Sequence, residues 1–256
     1  MSEEIVVIKI GTGVLTCEKD GTLDEASLVR LVTSISELVA GGIPVVMVSS
    51  GAVGAGVSAL QLNGYPDDTA SRQACAAVGQ TRLMHAYESL FQKFRLNVAQ
   101  LLLTAEDLDS DERASLVMNT LHKLLEMKNI IPIINENDSV SVEELRVGDN
   151  DMLSARVSKC LKARQLILLS TVEGLQKEDG SVLAEVSDIA EVTSHVRDDH
   201  GKFSIGGMAS KLQAIQSALE GGVETVISSG RKPEALKKIV GGGKGGTRLL
   251  SKVDCQ

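Results

Sequence analysis

Tryptophan is absent from this 256-residue sequence, and three Phe and two Tyr are its only aromatic residues. A core must therefore be built from aliphatic side chains, and 43% of the residues are hydrophobic. Runs of Val, Ile and Leu are the usual material of parallel strands covered by helices. Cysteine is scarce and scattered: Cys17, Cys75, Cys160 and Cys255 form no C-x-x-C pair and no metal-ligand spacing with His. That pattern points to reduced thiols in a cytosolic protein rather than to a disulfide framework. The four His are read as surface or edge residues, with His85 and His122 in helical patterns and His195 and His200 near a polar loop. Positive charge is also short, 26 Lys and Arg against 34 Asp and Glu, a net charge of −8. Nonspecific nucleic-acid binding needs a basic surface, so no nucleic-acid partner is expected. No apolar run approaches the roughly 18 residues of a membrane span, and the acidic start "MSEE" is unlike a signal peptide. The expectation is a soluble, cytoplasmic protein without a membrane partner.

What is present is a regular alternation. "IVVIKI" at 5–10 reads as a β-branched strand that ends at Gly11-Thr12-Gly13. "LDEASLVRLVTSISELVAGG" follows with an acidic first turn, apolar residues at helical spacing and a stop at Gly41-Gly42. "IPVVMVSSGAVGAG" repeats the grammar of buried strand, glycine-bearing turn and helix start. The patterns then predict a helix over about Thr69–Phe94, a strand at "NVAQLLL", a helix within 111–128 and a strand at "IIPII". A hairpin over "VSVEELRV" and a helix over 151–163 complete the first half. "QLILLS" at 165–170, the helix "ASKLQAIQSALEGG", the strand "VETVISSG", a helix near 233–240 and a last strand at "TRLL" continue the rhythm. Such alternation predicts an α/β fold with a mostly parallel sheet covered on both faces. With no linker rich in Pro, Ser or charge, the expectation is one domain over 1–256 with lobes at about 1–164 and about 165–256. "EDLDSDER" at 106–113 reads as a solvated loop leading into a helix. Residues 52–75, glycine-rich then polar, fit either a mobile flap over a ligand or a plain surface excursion.

Several segments carry chemistry. Lys9 lies near the end of a buried strand, where an ammonium is costly unless it meets water or an anion. Ligands of open α/β sheets gather at that carboxyl edge. Gly11 and Gly13 allow close backbone approach to an oxyanion, and an edge-strand Lys before an ordinary turn is the alternative. Two familiar phosphate motifs fail. Gly11-x-Gly13 lacks the third glycine of the dinucleotide fingerprint, and Lys244 in "GGGKGG" is followed by Gly245 instead of Ser or Thr. In "SSGAVGAG", Ser49, Ser50 and Gly51 join a strand to a helix, where backbone N–H groups hold an anion or a Ser simply caps. Met47 breaks the G-x-S-x-G elbow. In "SIGGMASKLQAI", Gly206-Gly207 precede a helix whose first turn carries Lys211, so N–H donors, helix dipole and ammonium would converge on one anion, with a flexible helix entry as the alternative. Finally "IINENDSVSVEELRVGDNDMLSA" (133–155) holds two Asn-Asp pairs, Asn137-Asp138 and Asn150-Asp151. Asp138, Asp149 and Asp151 are suited to holding Mg²⁺, orienting the lysines or accepting from a substrate ammonium.

Together "VIKIGTGVL", "VVMVSSGAVGAG", "AAVGQ", "PIINENDSV", "VGDNDMLSA" and "GGMASKLQAI" closely resemble the glutamate 5-kinases of the amino acid kinase family. The match runs in order over nearly the whole chain, and NEND followed by VGDND is its most specific part. Acetylglutamate, aspartate, carbamate and uridylate kinases share the fold but resemble the chain less at those two motifs. The resemblance implies a three-layer α/β/α sandwich of the carbamate kinase-like type. It implies transfer of the ATP γ-phosphoryl group to the side-chain carboxylate of L-glutamate, which opens proline biosynthesis. Mg²⁺ would ride mainly on the ATP phosphates, L-proline would be a feedback inhibitor, and the chain would form a homo-oligomer. By position, Lys9 and Lys211 match lysines that neutralise the transferring phosphoryl group, and Gly11 and Gly51 match backbone donors near it. Ser50, Asp138 and Asn150 match glutamate-binding positions in the N-terminal lobe, and Asp151 matches the acid that organises both lysines. Ser170, Thr171, Ile205, Gly206, Gly207, Met208, Ala209, Ser210 and Lys211 match the nucleotide side in the C-terminal lobe. The sequence departs from the family at Ser170-Thr171, where a Thr-Asp pair is usual. It also ends about where many bacterial members begin a PUA domain, so no RNA-related role is expected. An ionised carboxylate acceptor needs no general base, which suits a site of lysines, glycines and acids without a Ser-His or Cys-His pair. A nonenzymatic sensor is the contrasting reading, and retention of both lysines and Asp151 weighs against it.

Overall fold

The computed structural model describes residues 4–17, 21–140, 149–177, 179–187, 189 and 207–250. Eight strands form one sheet: β1 (Val6–Ile10), β2 (Val45–Ser49), β3 (Asn97–Leu103), β4 (Ile130–Glu136), β5 (Gln165–Ser170), β6 (Glu185–Val186), β7 (Glu224–Ser229) and β8 (Thr247–Leu249). Their spatial order is β3-β4-β2-β1-β5-β7-β8-β6. All neighbours are parallel except β7 and β8. In the central register Val6 lies opposite Val45 of β2 and Gln165 of β5.

Alternation along each strand assigns its side chains to one of two cores. Val6, Ile8 and Ile10 join Leu28, Leu31, Ile35, Leu83, Tyr87 and Phe91 on one face. That face is covered by α1 (Thr12–Leu15), α2 (Glu25–Ala40), α4 (Thr69–Phe91) and α9 (Leu236–Val240). Ile5 and Val7 join Leu121, Leu153, Val157, Leu212 and Ile215 on the other. Those residues come from α6 (Asp111–Glu126), α7 (Asp149–Leu161) and α8 (Met208–Glu220). The result is the three-layer α/β/α arrangement with a mostly parallel sheet. Lys9 shares the parity of Val7, so its side chain faces the α7 and α8 layer.

Local chemistry sets the helix starts. Asp24 caps α2 by accepting from the Ser27 N–H at 3.1 Å, and Asp68 caps α4 by accepting from the Ser71 N–H at 2.8 Å. Two expectations need correction. "EDLDSDER" is not merely a loop leading into a helix, because α5 (Ala105–Asp109), opened by a Thr104–Asp107 capping box, occupies its first half. Residues 52–59 form the helix α3 instead of a flap. Its glycines serve close packing: a Cβ at Gly56 would lie 1.9 Å from the Cys75 carbonyl oxygen, and one at Gly79 1.8 Å from that of Ala52. The expected hairpin at 140–147 falls almost wholly outside the described residues. No helix among the described residues is long and apolar enough to cross a membrane.

Because the obstacle at Gly79 is backbone, relief requires α3 and α4 to move apart. Gly79→Ala should therefore destabilise the protein by about 1–3 kcal/mol or more, the usual cost of overpacking. Chemical denaturation measures this, and a variant as stable as wild type would show that the two helices separate freely.

Candidate active site

The carboxyl ends of β4, β2, β1 and β5 lie side by side, and the expected site residues cluster along this edge. Lys9 is the penultimate residue of β1, Ser50 and Gly51 follow β2, and Asp138 stands two residues past β4. Asn150 and Asp151 lie in the first turn of α7, Ser170 ends β5, and Gly207 to Lys211 open α8. Ile205 and Gly206 fall outside the described residues.

At the centre is one carboxylate shared by two ammonium groups. Asp151 Oδ1 lies 2.6 Å from Lys9 Nζ, and Asp151 Oδ2 accepts from Lys211 Nζ at 3.3 Å. The group is sequestered, with side-chain exposures of 7% for Lys9, 3% for Asp151 and 11% for Lys211. Burial pulls the Lys9 ammonium below its usual pKa; Asp151 opposes that shift and Lys211 adds to it. For Asp151, burial works against ionisation, yet the two neighbouring ammonium groups win and hold its carboxyl below the usual range. Its place in the first turn of a helix adds a favourable dipole.

A second group of the expected site residues is set by β2, β4 and α7. The Ser50 N–H donates to the Ile10 carbonyl at 3.0 Å, which ties the β2 turn to the end of β1. Gly51 caps α3 with φ +104°, a left-handed conformation that favours glycine. The Ser49 hydroxyl reaches Tyr87 Oη at 2.9 Å and donates to the Ser50 carbonyl at 3.1 Å. Asn150 Nδ2 donates to Asn135 Oδ1 at 2.9 Å, while Asn150 Oδ1 accepts from the Glu136 N–H at 3.2 Å. Asn135 opens the NEND motif, yet the resemblance gives it no role of its own; the structure places it as the partner that holds the Asn150 amide.

On the other side, Gly207 caps α8 without a side-chain bond, and the Lys211 N–H donates to the Gly207 carbonyl at 3.4 Å. The earlier N–H groups of this first turn have no acceptor within the helix. The buried Ser210 hydroxyl has no hydrogen-bond partner among the described residues. Gly11 is a correction: its N–H donates to the Leu169 carbonyl at 3.0 Å, so the β1–β5 ladder holds the donor expected to face the phosphoryl group. Gly13 instead makes room for Thr171, whose methyl would lie 2.9 Å from a Cβ there. Thr171 itself is exposed, just past β5.

Asp151 thus contributes stability that is complete above its unfolded pKa of about 3.9 and is lost as pH falls through its lower folded value. Asp151→Asn should cost about 3 kcal/mol at pH 5, since it strands buried ammonium groups. Thermal melts from pH 5 to 2.5 should show that deficit shrinking as the wild-type carboxyl protonates. A deficit constant down to pH 2.5 would contradict the shared-carboxylate geometry.

Comparison with known proteins gives the family and the fold. The sequence profile of the amino acid kinase family matches residues 4–229. A glutamate 5-kinase from Clostridium acetobutylicum is 42% identical over 254 residues, covering 96% of this chain and 94% of that protein. Among solved structures, N-acetylglutamate synthase from Neisseria gonorrhoeae, solved with coenzyme A and L-arginine, matches with a TM-score of 0.70 at 16% identity. That match covers 97% of this chain, which spans 61% of the synthase. Carbamate kinase from Giardia matches with a TM-score of 0.69 at 17% identity, over 98% of this chain and 100% of that one. At such identities the two structures speak for the fold alone. The chain belongs to the amino acid kinase family, and its sequence relatives there include glutamate 5-kinases.

Proposed function

We propose that this chain is a kinase that transfers the ATP γ-phosphoryl group to the side-chain carboxylate of L-glutamate, giving L-glutamyl 5-phosphate and ADP, the first step of proline biosynthesis from glutamate. The observation that carries the reading is the Lys9–Asp151–Lys211 cluster at the carboxyl edge; Ser50 and Asp138 follow β2 and β4 at that edge, and Asn150 lies in the first turn of α7. A γ-carboxylate oxygen attacks phosphorus, and the bond to the bridging oxygen of ADP breaks with its electron pair leaving on ADP. No proton has to move. What the protein supplies is alignment and neutralisation of charge on the transferring group.

In this reading Lys9 and Lys211 screen the phosphoryl oxygens, and Asp151 holds both in place. The phosphoryl group offsets the burial that lowers the Lys9 pKa, because an adjacent anion favours the ammonium. Asp138 receives the glutamate ammonium, with Ser50 and Asn150 fixing the rest of the substrate. The N-terminal lobe, about 1–164, carries this subsite, and the lobe from about 165 carries the nucleotide. There the α8 N-terminus, the Ser210 hydroxyl and the segment 205–211 receive the phosphates, with Ser170 and Thr171 beside them. Mg²⁺ arrives on the ATP phosphates. Asp151 is not assigned to it, because both of its oxygens already serve lysines. Gly51 remains the assigned backbone donor, while Gly11 contributes space beside Lys9.

L-Proline shares the α-carboxylate and cationic amine of glutamate but lacks the accepting carboxylate, so it inhibits by occupying part of the same subsite. The chain acts as a homo-oligomer in the cytoplasm. One coupled ADP-release experiment tests the reaction and its inhibition together. Free glutamate should support turnover and N-acetylglutamate should not, since its blocked amine offers Asp138 no ammonium. Proline inhibition should fade as glutamate rises. Turnover with the N-acetyl form alone would overturn the acceptor assignment, and inhibition unmoved by saturating glutamate would overturn the overlapping site.

A further inference from the structure

Behind Asn150 runs a chain of four side-chain amides drawn from four elements. Asn150 Nδ2 on α7 donates to Asn135 Oδ1 on β4 at 2.9 Å. Asn135 Nδ2 donates to Gln80 Oε1 on α4 at 2.8 Å, and Gln80 Nε2 donates to Gln100 Oε1 on β3 at 3.1 Å. Asn135 is 1% exposed and Gln80 8%, so water is a poor substitute for either bond. Gln100 sits on the exposed edge strand.

The direction of this chain is set at one end. The Glu136 N–H donates to both Asn135 Oδ1, at 2.9 Å, and Asn150 Oδ1, at 3.2 Å. A backbone N–H cannot reverse its role, so both carbonyl oxygens must face it. Each Nδ2 is thereby committed to its stated direction, and Asn135 needs an acceptor where Gln80 Oε1 stands. Flipping an internal amide would oppose two NH₂ groups or two carbonyls. Asn150 donates one Nδ2 hydrogen into the chain and keeps the other for a ligand.

We propose that Gln80 is a positioning residue for the acceptor amino acid: through Asn135 it fixes the side-chain orientation of Asn150. This rests on Asn150 contacting glutamate, as proposed above. The relay ends on the acceptor wall and includes neither lysine nor any residue of α8, so its effect belongs to glutamate binding. The same buried face of α4 carries Tyr87 two turns later, and Tyr87 meets Ser49 beside the other acceptor residue, Ser50. One helix therefore braces both sides of that wall. A Gln that merely filled the core would, on mutation, lower stability and alter all kinetic constants together.

The test compares wild type with Gln80→Met, which keeps the shape but removes both amide groups, and Gln80→Glu, which keeps an acceptor facing Asn135. Losing the bond and stranding the Asn135 amide should raise the KM for glutamate by about fivefold to thirtyfold in Gln80→Met. The KM for ATP should stay within about twofold, and kcat within about threefold. Gln80→Glu should recover much of the lost affinity, and Gln100→Ala, at the wet end of the chain, should change little. A KM is read from saturation, so partial misfolding of a variant does not disguise it. A glutamate KM for Gln80→Met equal to wild type, or equal rises in both substrates' KM, would overturn the positioning role. Absence of glutamate-dependent ADP release in wild type would instead overturn the functional reading, and this inference with it.

Discussion

A single buried carboxylate holding two ammonium groups is the constraint on which the rest of this structure depends. Away from water, two like charges repel strongly unless an opposite charge lies between them. Asp151 resolves this by giving one oxygen to each lysine. The arrangement demands that three remote parts of the chain arrive together. Strand parity turns Lys9 toward the α7 layer, the end of β4 delivers the start of α7, and the crossover from β5 delivers α8. The parallel sheet is the frame that makes those arrivals coincide. Its central strands all end on the edge where the charges are needed.

Much of this frame is legible in the amino-acid sequence. "NVAQLLL" and "QLILLS" match β3 and β5 residue for residue, because turn or helix signals flank them and their residues favour strands. The lysines, Asn150 and Asp151 are also identifiable, through the costly placement of Lys9 and the resemblance at NEND and VGDND. What stays hidden depends on which segments pack together. Gly56, in the stretch that could be read as a flap, and Gly79, inside the expected helix, let two helix backbones touch. A glycine in a sequence does not say whether it serves a positive φ or a close approach. Gly11 loses its expected role for a similar reason, since its N–H extends a ladder whose register no single strand reveals. The amide chain behind Asn150 spans residues from 80 to 150 and shows no periodicity at all.

The fold is a weaker guide to chemistry than the site. Proteins named as a carbamate kinase and an N-acetylglutamate synthase share this architecture at 17% and 16% identity. A shared architecture therefore does not by itself name the reaction. In this chain the edge carries a cationic part, built on Lys9 and Lys211, and an amide-rich part around Asn150 and Asn135. Exposed Thr171 lies at the margin of the cationic part and packs against Gly13.

The central claim is that Lys9 and Lys211 act as one unit through Asp151. A double-mutant cycle on kcat, using Lys9→Ala, Lys211→Ala and the combined variant, measures this most directly. Removing either lysine leaves the whole Asp151 charge on the other and draws it away from the phosphoryl group. Each single variant should therefore forfeit part of its partner's contribution. The account predicts that the combined loss falls short of the product of the single losses by about tenfold or more. Losses that simply multiply would mean that the two lysines work independently, and would contradict it.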